Sequence, residues 1–215
     1  MSGPAGPKLV GGRLCLDFVN TVSGRRRGRP LRERLLSYGD LVDWARRAGA
    51  LSGAEAARLR RAAATRARAA VSALARARRL REALYRTLRA RLRGLPPARS
   101  ALRALNAELA EARAHQRLVP RGAGFAWEWP RGQGDLGRVI WPLARSGAEL
   151  LSSPDLDRVR QCGGEACGWM FVDATRNGSR RWCDMRDCGN VAKVRRFRER
   201  ARGRGHGGAA RGEEG

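Results

Sequence analysis

Four cysteines in two pairs, Cys162-x4-Cys167 and Cys183-x4-Cys188, constrain this chain more than any other feature of its sequence. Each pair is short enough to sit on one tight turn, and fifteen residues separate the pairs. Zinc held by thiolates needs four sulfurs in a tetrahedron at about 2.3 Å, and two facing turns supply them. Gly163 and Gly164 let the first turn curl. Between the pairs, Trp169-Met170-Phe171-Val172 reads as a strand, Asn177-Gly178 as a hairpin turn, and Arg180-Arg181-Trp182 as the returning strand. A helix is expected from Asn190. Knuckle, hairpin and helix, with the last ligands at the helix start, is the layout of a treble-clef finger. Four cysteine ligands leave the metal no open position for water or substrate, so it is expected to be structural and not catalytic.

Composition bears on the choice between metal and disulfide. The start, MSGPAGPKLVGG, does not read as a signal peptide, and no stretch has the apolar length of a membrane span. A cytosolic protein keeps its thiols reduced, and an odd total of five cysteines agrees with that. The formal net charge of +25 points to a polyanionic partner, nucleic acid before a membrane surface. All but two of the 45 basic residues, Lys8 and Lys193, are arginine. GC-rich codon usage produces such a skew, so part of the charge belongs to solvated faces.

Ahead of the cysteines the pattern is mainly helical, giving a fold class of a mainly α N-terminal domain with a small β element followed by the finger. Residues 1–12 read as a flexible start, and Leu14 to Thr21 as the first folded segment. Arg25 to Pro30 reads as a loop. Ser37-Tyr38-Gly39-Asp40 and Ser52-Gly53-Ala54-Glu55 resemble capping boxes that open helices. A long helix is expected over about 67–93, with Val71, Leu74, Ala77, Leu84, Leu88 and Leu92 on one stripe. Gly94-Leu95-Pro96-Pro97 stops it, and a further helix carries Leu102, Leu105 and Leu109. Phe125, Trp127 and Trp129 then alternate with small or charged residues, as in a strand whose partner is Leu118-Val119. Residues 135–151 read as a helix delayed or kinked by Pro142. The expected organisation is a helical domain over 9–153 that folds by itself, a finger over 158–202, and a disordered glycine-rich tail over 203–215.

The segment from Cys162 through GWMFVDATRNGSRRWCDMRDCGN into a basic helix resembles the CGNR zinc-finger family of bacterial proteins. LCLDFVNT, with DLVDWARRAG after it, is similar to the ABATE domain fused ahead of that finger and described as a stress-induced transcription regulator. The resemblance runs from about residue 9 to 202. It implies that Cys162, Cys167, Cys183 and Cys188 are the ligands of one structural zinc, and that Cys188-Gly189-Asn190 begins the motif of the family name. Val191 stands where the motif has arginine. A DNA contact made by that arginine in relatives is absent here or comes from Arg195 or Arg186.

On a helical wheel, Val191, Val194, Phe197 and Ala201 fall opposite Lys193, Arg196 and Arg200. An anchored face and a basic face are what a phosphate-contacting helix requires. Arg180, Arg181, Lys193, Arg195, Arg196 and Arg200 are therefore the candidate nucleic-acid contacts. Thirteen arginines against one acid, Glu82, lie between residues 58 and 93, and read first as solvated helix surface. Cys15 reads as core, and His115 and His206 as lone histidines. Trp127 and Trp129 read as core before ligand cage. Asp17 and Asn20 tie their segment to a loop or line a small-molecule pocket.

The expected function is a cytoplasmic, zinc-containing, DNA-binding transcriptional regulator that is not an enzyme. Its N-terminal domain would sense a signal or mediate assembly. A small-molecule effector and a homodimer are compatible with the sequence. RNA binding, or a ligand-binding or enzymatic N-terminal domain with zinc as a staple, are the alternatives.

Overall fold

The computed structural model describes residues 8–25, 31–129 and 134–205. The expected loop at Arg25–Pro30 and His206 with the end of the tail lie wholly or largely outside these residues.

Local signals set most helix ends. α1 (Leu14–Val19) is short, and its Cys15, Leu16, Phe18 and Val19 are all buried. α2 (Tyr38–Arg47) and α3 (Gly53–Thr65) each open on a reciprocal capping box, Ser37 with Asp40 and Ser52 with Glu55. α2 stops where Gly49 takes φ +74°, which lets the Ala50 N–H donate to the Ala45 carbonyl at 2.8 Å. α4 (Ala67–Arg91) is the central helix and buries Ala70, Ala73, Leu74, Ala77, Leu80, Leu84 and Leu88. Val71, expected on that stripe, lies roughly 120° round the helix from it and is exposed, as is Leu92.

α5 (Arg99–Ala114) packs on α4 and on α6 (Trp141–Leu151), and α1 packs against α4 and α6. A Cβ at Gly147 of α6 would lie 2.6 Å from Leu84 Cδ2, so glycine makes room there for Leu84 of α4. Pro142 acts as expected: a 3-10 turn at Leu136–Val139 precedes the helix, and the proline occupies its first turn, where no N–H is needed.

Three two-stranded antiparallel sheets complete the described fold. β1 (Val22–Ser23) pairs with β2 (Arg32–Glu33). β3 (Arg117–Arg121) and β4 (Gly124–Glu128) form the expected hairpin, with Leu118 opposite Trp127. β5 (Val159–Gln161) pairs with β6 (Met170–Val172). α7 (Asn190–Gly205) ends the described chain.

Four expectations change. β6 pairs with β5, not with Arg180–Trp182. The buried Asp173 is the reason: its carboxylate accepts from the Thr175 N–H and hydroxyl and from the Arg180 N–H, which folds 173–180 into a compact loop. Residues 8–12 are pinned along the finger: Lys8 pairs with Asp184 and Asp187, and the Val172 N–H donates to the Gly11 carbonyl. The stretch 203–205, expected in a disordered tail, continues α7. Arginines of α4 also do internal work. Buried Arg81 bonds Thr21, Glu33 and Glu82, and Arg25 completes the set on Glu82. Arg76 holds Glu108 with two bonds, and Arg91 reaches Asp157.

The two halves share one core. Val159, Met170 and Val172 belong to the same buried cluster as Leu16, Phe18, Leu84 and Leu143. The physical basis for expecting the first 153 residues to fold by themselves is thereby weakened, because α1 would lose β6 as a wall.

Candidate metal centre and nucleic-acid interface

The β5–β6 hairpin carries the first cysteine pair at its tip. Its ladder continues into the knuckle, where the Cys162 N–H donates to the Trp169 carbonyl at 2.8 Å. Gly168, at φ +75°, closes the turn. Gly163 and Gly164 serve by size and not by a left-handed backbone. A Cβ at Gly164 would stand 3.2 Å from both Cys167 Cβ and Cys188 Sγ. The second pair comes from the loop before α7, with Cys188 in a single π-turn, Met185–Gly189, that leads directly into the helix. The Asp184 side chain caps that turn by accepting from the Arg186 N–H.

The sulfurs of Cys162, Cys167, Cys183 and Cys188 all lie within 4.8 Å of one another. Cys167 and Cys188 each approach Cys183 at 3.6 Å between sulfurs. Tetrahedral Zn–S bonds of about 2.3 Å place sulfurs about 3.8 Å apart, so the donor set fits a single zinc ion. Four thiolates this close repel one another, so all four ionise together only round a cation. Two N–H donors offset the charge at Cys162 Sγ, from Gly164 at 3.4 Å and Cys183 at 3.3 Å. The start of α7 offsets more. Beneath the sulfurs, buried Phe171 packs with Val10, Trp169 and Trp182 as a small core.

Cys15 is apart from this centre, fully buried, with burial pushing its thiol up to about 11. Asp17 and Asn20, expected to tie their segment to a loop or to line a pocket, are buried and make internal bonds. Asp17 accepts from the Gly11 N–H at 2.8 Å, and burial raises its carboxyl. Asn20 bonds the Met170 backbone twice. His115 is less isolated than its sequence context suggests. It stacks on Trp141 at 4.3 Å and has Glu111 and Asp135 within reach, all three half-buried. Trp129 is half-buried and donates to the Ala112 carbonyl, whereas Trp127 is exposed.

The candidate nucleic-acid contacts divide. Arg180 is structural: its guanidinium lies 4.1 Å over the Phe171 ring and donates to the carbonyls of Val10, Trp182 and Cys183. Arg195 pairs with Glu165 and Glu199, joining α7 to the first knuckle. Arg181, Lys193, Arg196 and Arg200 are exposed and form no ion pair among the described residues. Arg186 joins them. With Trp182, Met185, Gly189, Asn190, Lys193 and Arg196 it lines a depression of about 480 Å³ at the start of α7. Arg186, expected as one possible substitute for the motif arginine replaced by Val191, lies one turn before Asn190. The expected anchored face of α7 is not anchored. Val191, Val194 and Phe197 are exposed, because α7 projects from the finger and packs chiefly on the turn that precedes it.

Fold and site together define a helical domain joined through a shared core to a four-cysteine structural zinc finger. Residues 12–154 match the ABATE family model, described as "Putative stress-induced transcription regulator", and residues 158–201 match the CGNR zinc finger. The chain belongs to the ABATE family, with a CGNR zinc finger as its second segment. No curated protein matches the chain. No helix among the described residues is long and apolar enough to cross a membrane.

Proposed function

We propose that this protein is a cytoplasmic DNA-binding transcriptional regulator, without enzymatic activity, whose finger contacts duplex phosphates. The observation that carries this reading is the cluster of Arg186, Lys193 and Arg196 round the start of α7, unpaired among the described residues and held beside the zinc site. Zinc fixes the turn from which α7 leaves, so these cations keep a set direction. Exposed cations without an ion-pair partner support backbone contact, because phosphate oxygens accept from such side chains. Arg181 and Arg200 extend the same surface. The family description supports the regulatory role. The N-terminal domain senses a signal or mediates assembly, and its share in the finger's core gives it a route to the contact surface.

The test is to sequence nucleic acid that co-purifies with the protein from cells. Discrete enriched DNA sites are expected. Enrichment of transcripts instead would replace this reading with RNA binding, for which Trp182 at the depression offers a stacking face.

A further inference from the structure

Glu111 and His115 stand four residues apart at the end of α5, so they share one face of that helix. Asp135 reaches the same place from the entrance to α6, as the cap of the 3-10 turn at Leu136–Val139. One ligand atom from each of the three lies within 4.8 Å of the others. Local bonds orient two of them. His115 Nδ1 is 3.0 Å from the Glu111 carbonyl, which can only accept, so Nδ1 carries the ring proton and Nε2 keeps its lone pair. Asp135 Oδ1 accepts from the Gly137 N–H at 2.7 Å, which leaves Oδ2 on the side of that lone pair.

The spacing suits ligands of one ion better than a direct pair. Nε2 lies 3.8 Å from Asp135 Oδ2, and Nδ1 lies 3.9 Å from Glu111 Oε1. Both exceed the hydrogen-bond range of about 2.7–3.2 Å. Ligands about 2.0–2.2 Å from one ion stand about 3–4 Å from each other. Charge agrees. In this arginine-rich chain neither Glu111 nor Asp135 pairs with an arginine among the described residues, and the neighbouring Arg76 donates twice to Glu108. A second observation points to a ligand. Trp141 is 3% exposed and stacks on His115, yet its indole N–H has no partner. That nitrogen borders the cluster: a Cβ at Gly137 would lie 3.7 Å from it and 3.1 Å from Asp135 Oδ1. A buried orphan donor beside an imidazole and two carboxylates marks a place that an ion with its water completes.

We propose that Glu111, His115 and Asp135 bind one divalent transition-metal ion per chain, separate from the zinc of the finger. Imidazole favours such ions over Mg²⁺ and Ca²⁺, and the two carboxylates balance the ion's charge. Three protein ligands leave positions for water, whose oxygen is what the Trp141 N–H lacks. They also hold the ion less tightly than four thiolates do. The ion joins the end of α5 to the entrance of α6, the two points between which the β3–β4 hairpin leaves and returns. Nothing in this depends on the finger meeting DNA.

Mn²⁺ is the probe for the full chain, because the thiolates keep their zinc and leave Mn²⁺ to nitrogen and oxygen ligands. After dialysis, loss of the free-ion EPR signal should count one Mn²⁺ bound per chain, saturably, beside the zinc of the finger. Zn²⁺ should displace it and equimolar Mg²⁺ should not. Asp135→Asn keeps Oδ1 for the Gly137 N–H and removes the charge at Oδ2. His115→Phe keeps a ring on Trp141 and removes both nitrogens. Each should weaken Mn²⁺ binding by roughly tenfold or more, with zinc content unchanged. Mn²⁺ should raise the melting temperature of the wild type and not of either variant. Glu149→Gln, at an exposed acid of α6, should bind Mn²⁺ like the wild type. Absent or non-saturable binding in the wild type, or unaltered binding in both variants, overturns the proposal.

Discussion

Asn20 and Met170 exchange two hydrogen bonds across 150 residues of sequence: Asn20 Nδ2 donates to the Met170 carbonyl and the Met170 N–H donates to Asn20 Oδ1, both at 2.8 Å. The buried asparagine acts as an extra strand beside β6 and fastens the end of α1 to the zinc hairpin.

Removing that side chain orphans two buried backbone groups, each costing about 1–3 kcal/mol. Asn20→Ala should destabilise the protein by about 3 kcal/mol and lower its Tm by roughly 6–12 °C. Asn20→Asp should cost more, because it buries an unpaired carboxylate against the Met170 carbonyl oxygen. Thermal melting followed by circular dichroism checks both.

Metal removal should reach beyond the finger. Zinc binding energy is folding energy for such a module, and here the module supplies Val159, Met170 and Val172 to the common core. Chelation, or Cys183→Ser, should therefore lower the melting temperature of the helical signal as well as release zinc. Cys15→Ser should keep one equivalent of zinc. Zinc release well below the helical transition, with that transition unmoved, would show two separate cores.

The Arg81 network predicts acid sensitivity. Burial would raise the Glu33 and Glu82 carboxyls, but bonds from Arg81 and Arg25 outweigh it and hold both below the ordinary value of 4.5. A lowered carboxyl adds stability that is present above the unfolded value and is lost as pH falls through the folded one. Arg81→Met should cost about 2 kcal/mol at neutral pH, chiefly by removing the two bonds to half-buried Glu33, which keeps only Arg78 at 3.7 Å, while Arg25 still holds Glu82. It should also flatten the loss below about pH 4.5, since Glu33 then gains less from ionising. Urea midpoints across the acid range measure this.

Arg180 and Arg186 should separate structure from contact. Arg180→Gln removes the guanidinium that joins Val10, Trp182 and Cys183, and should lower the melting temperature and weaken zinc retention. Arg186→Gln should leave both unchanged while weakening DNA binding.

Local chemistry made much of this fold legible. Ser37 and Ser52 announced α2 and α3, Pro142 announced the late start of α6, and the spacing of Cys162, Cys167, Cys183 and Cys188 announced the metal centre. What stayed hidden depends on tertiary partners. Nothing next to Arg180 in sequence shows that Val10 lies above it, and nothing next to Asn20 shows Met170. Asn177-Gly178 looks like a strand-joining turn until Asp173 captures the Arg180 N–H. Val191, Val194 and Phe197 have the period of a buried stripe, but period shows only which residues share a face, not whether anything covers it.

The central claim is that the cations round the start of α7 meet DNA phosphates. It is tested most directly by the salt dependence of binding to a mixed-sequence duplex, wild type against Arg186→Gln/Lys193→Gln/Arg196→Gln. Each lost phosphate contact removes about 0.9 from the slope of log affinity against log salt. The triple variant should lose up to about 2.7 of slope, with zinc content and melting temperature unchanged. Wild-type affinity and slope in the triple variant would contradict the account and remove the finger as the contact surface.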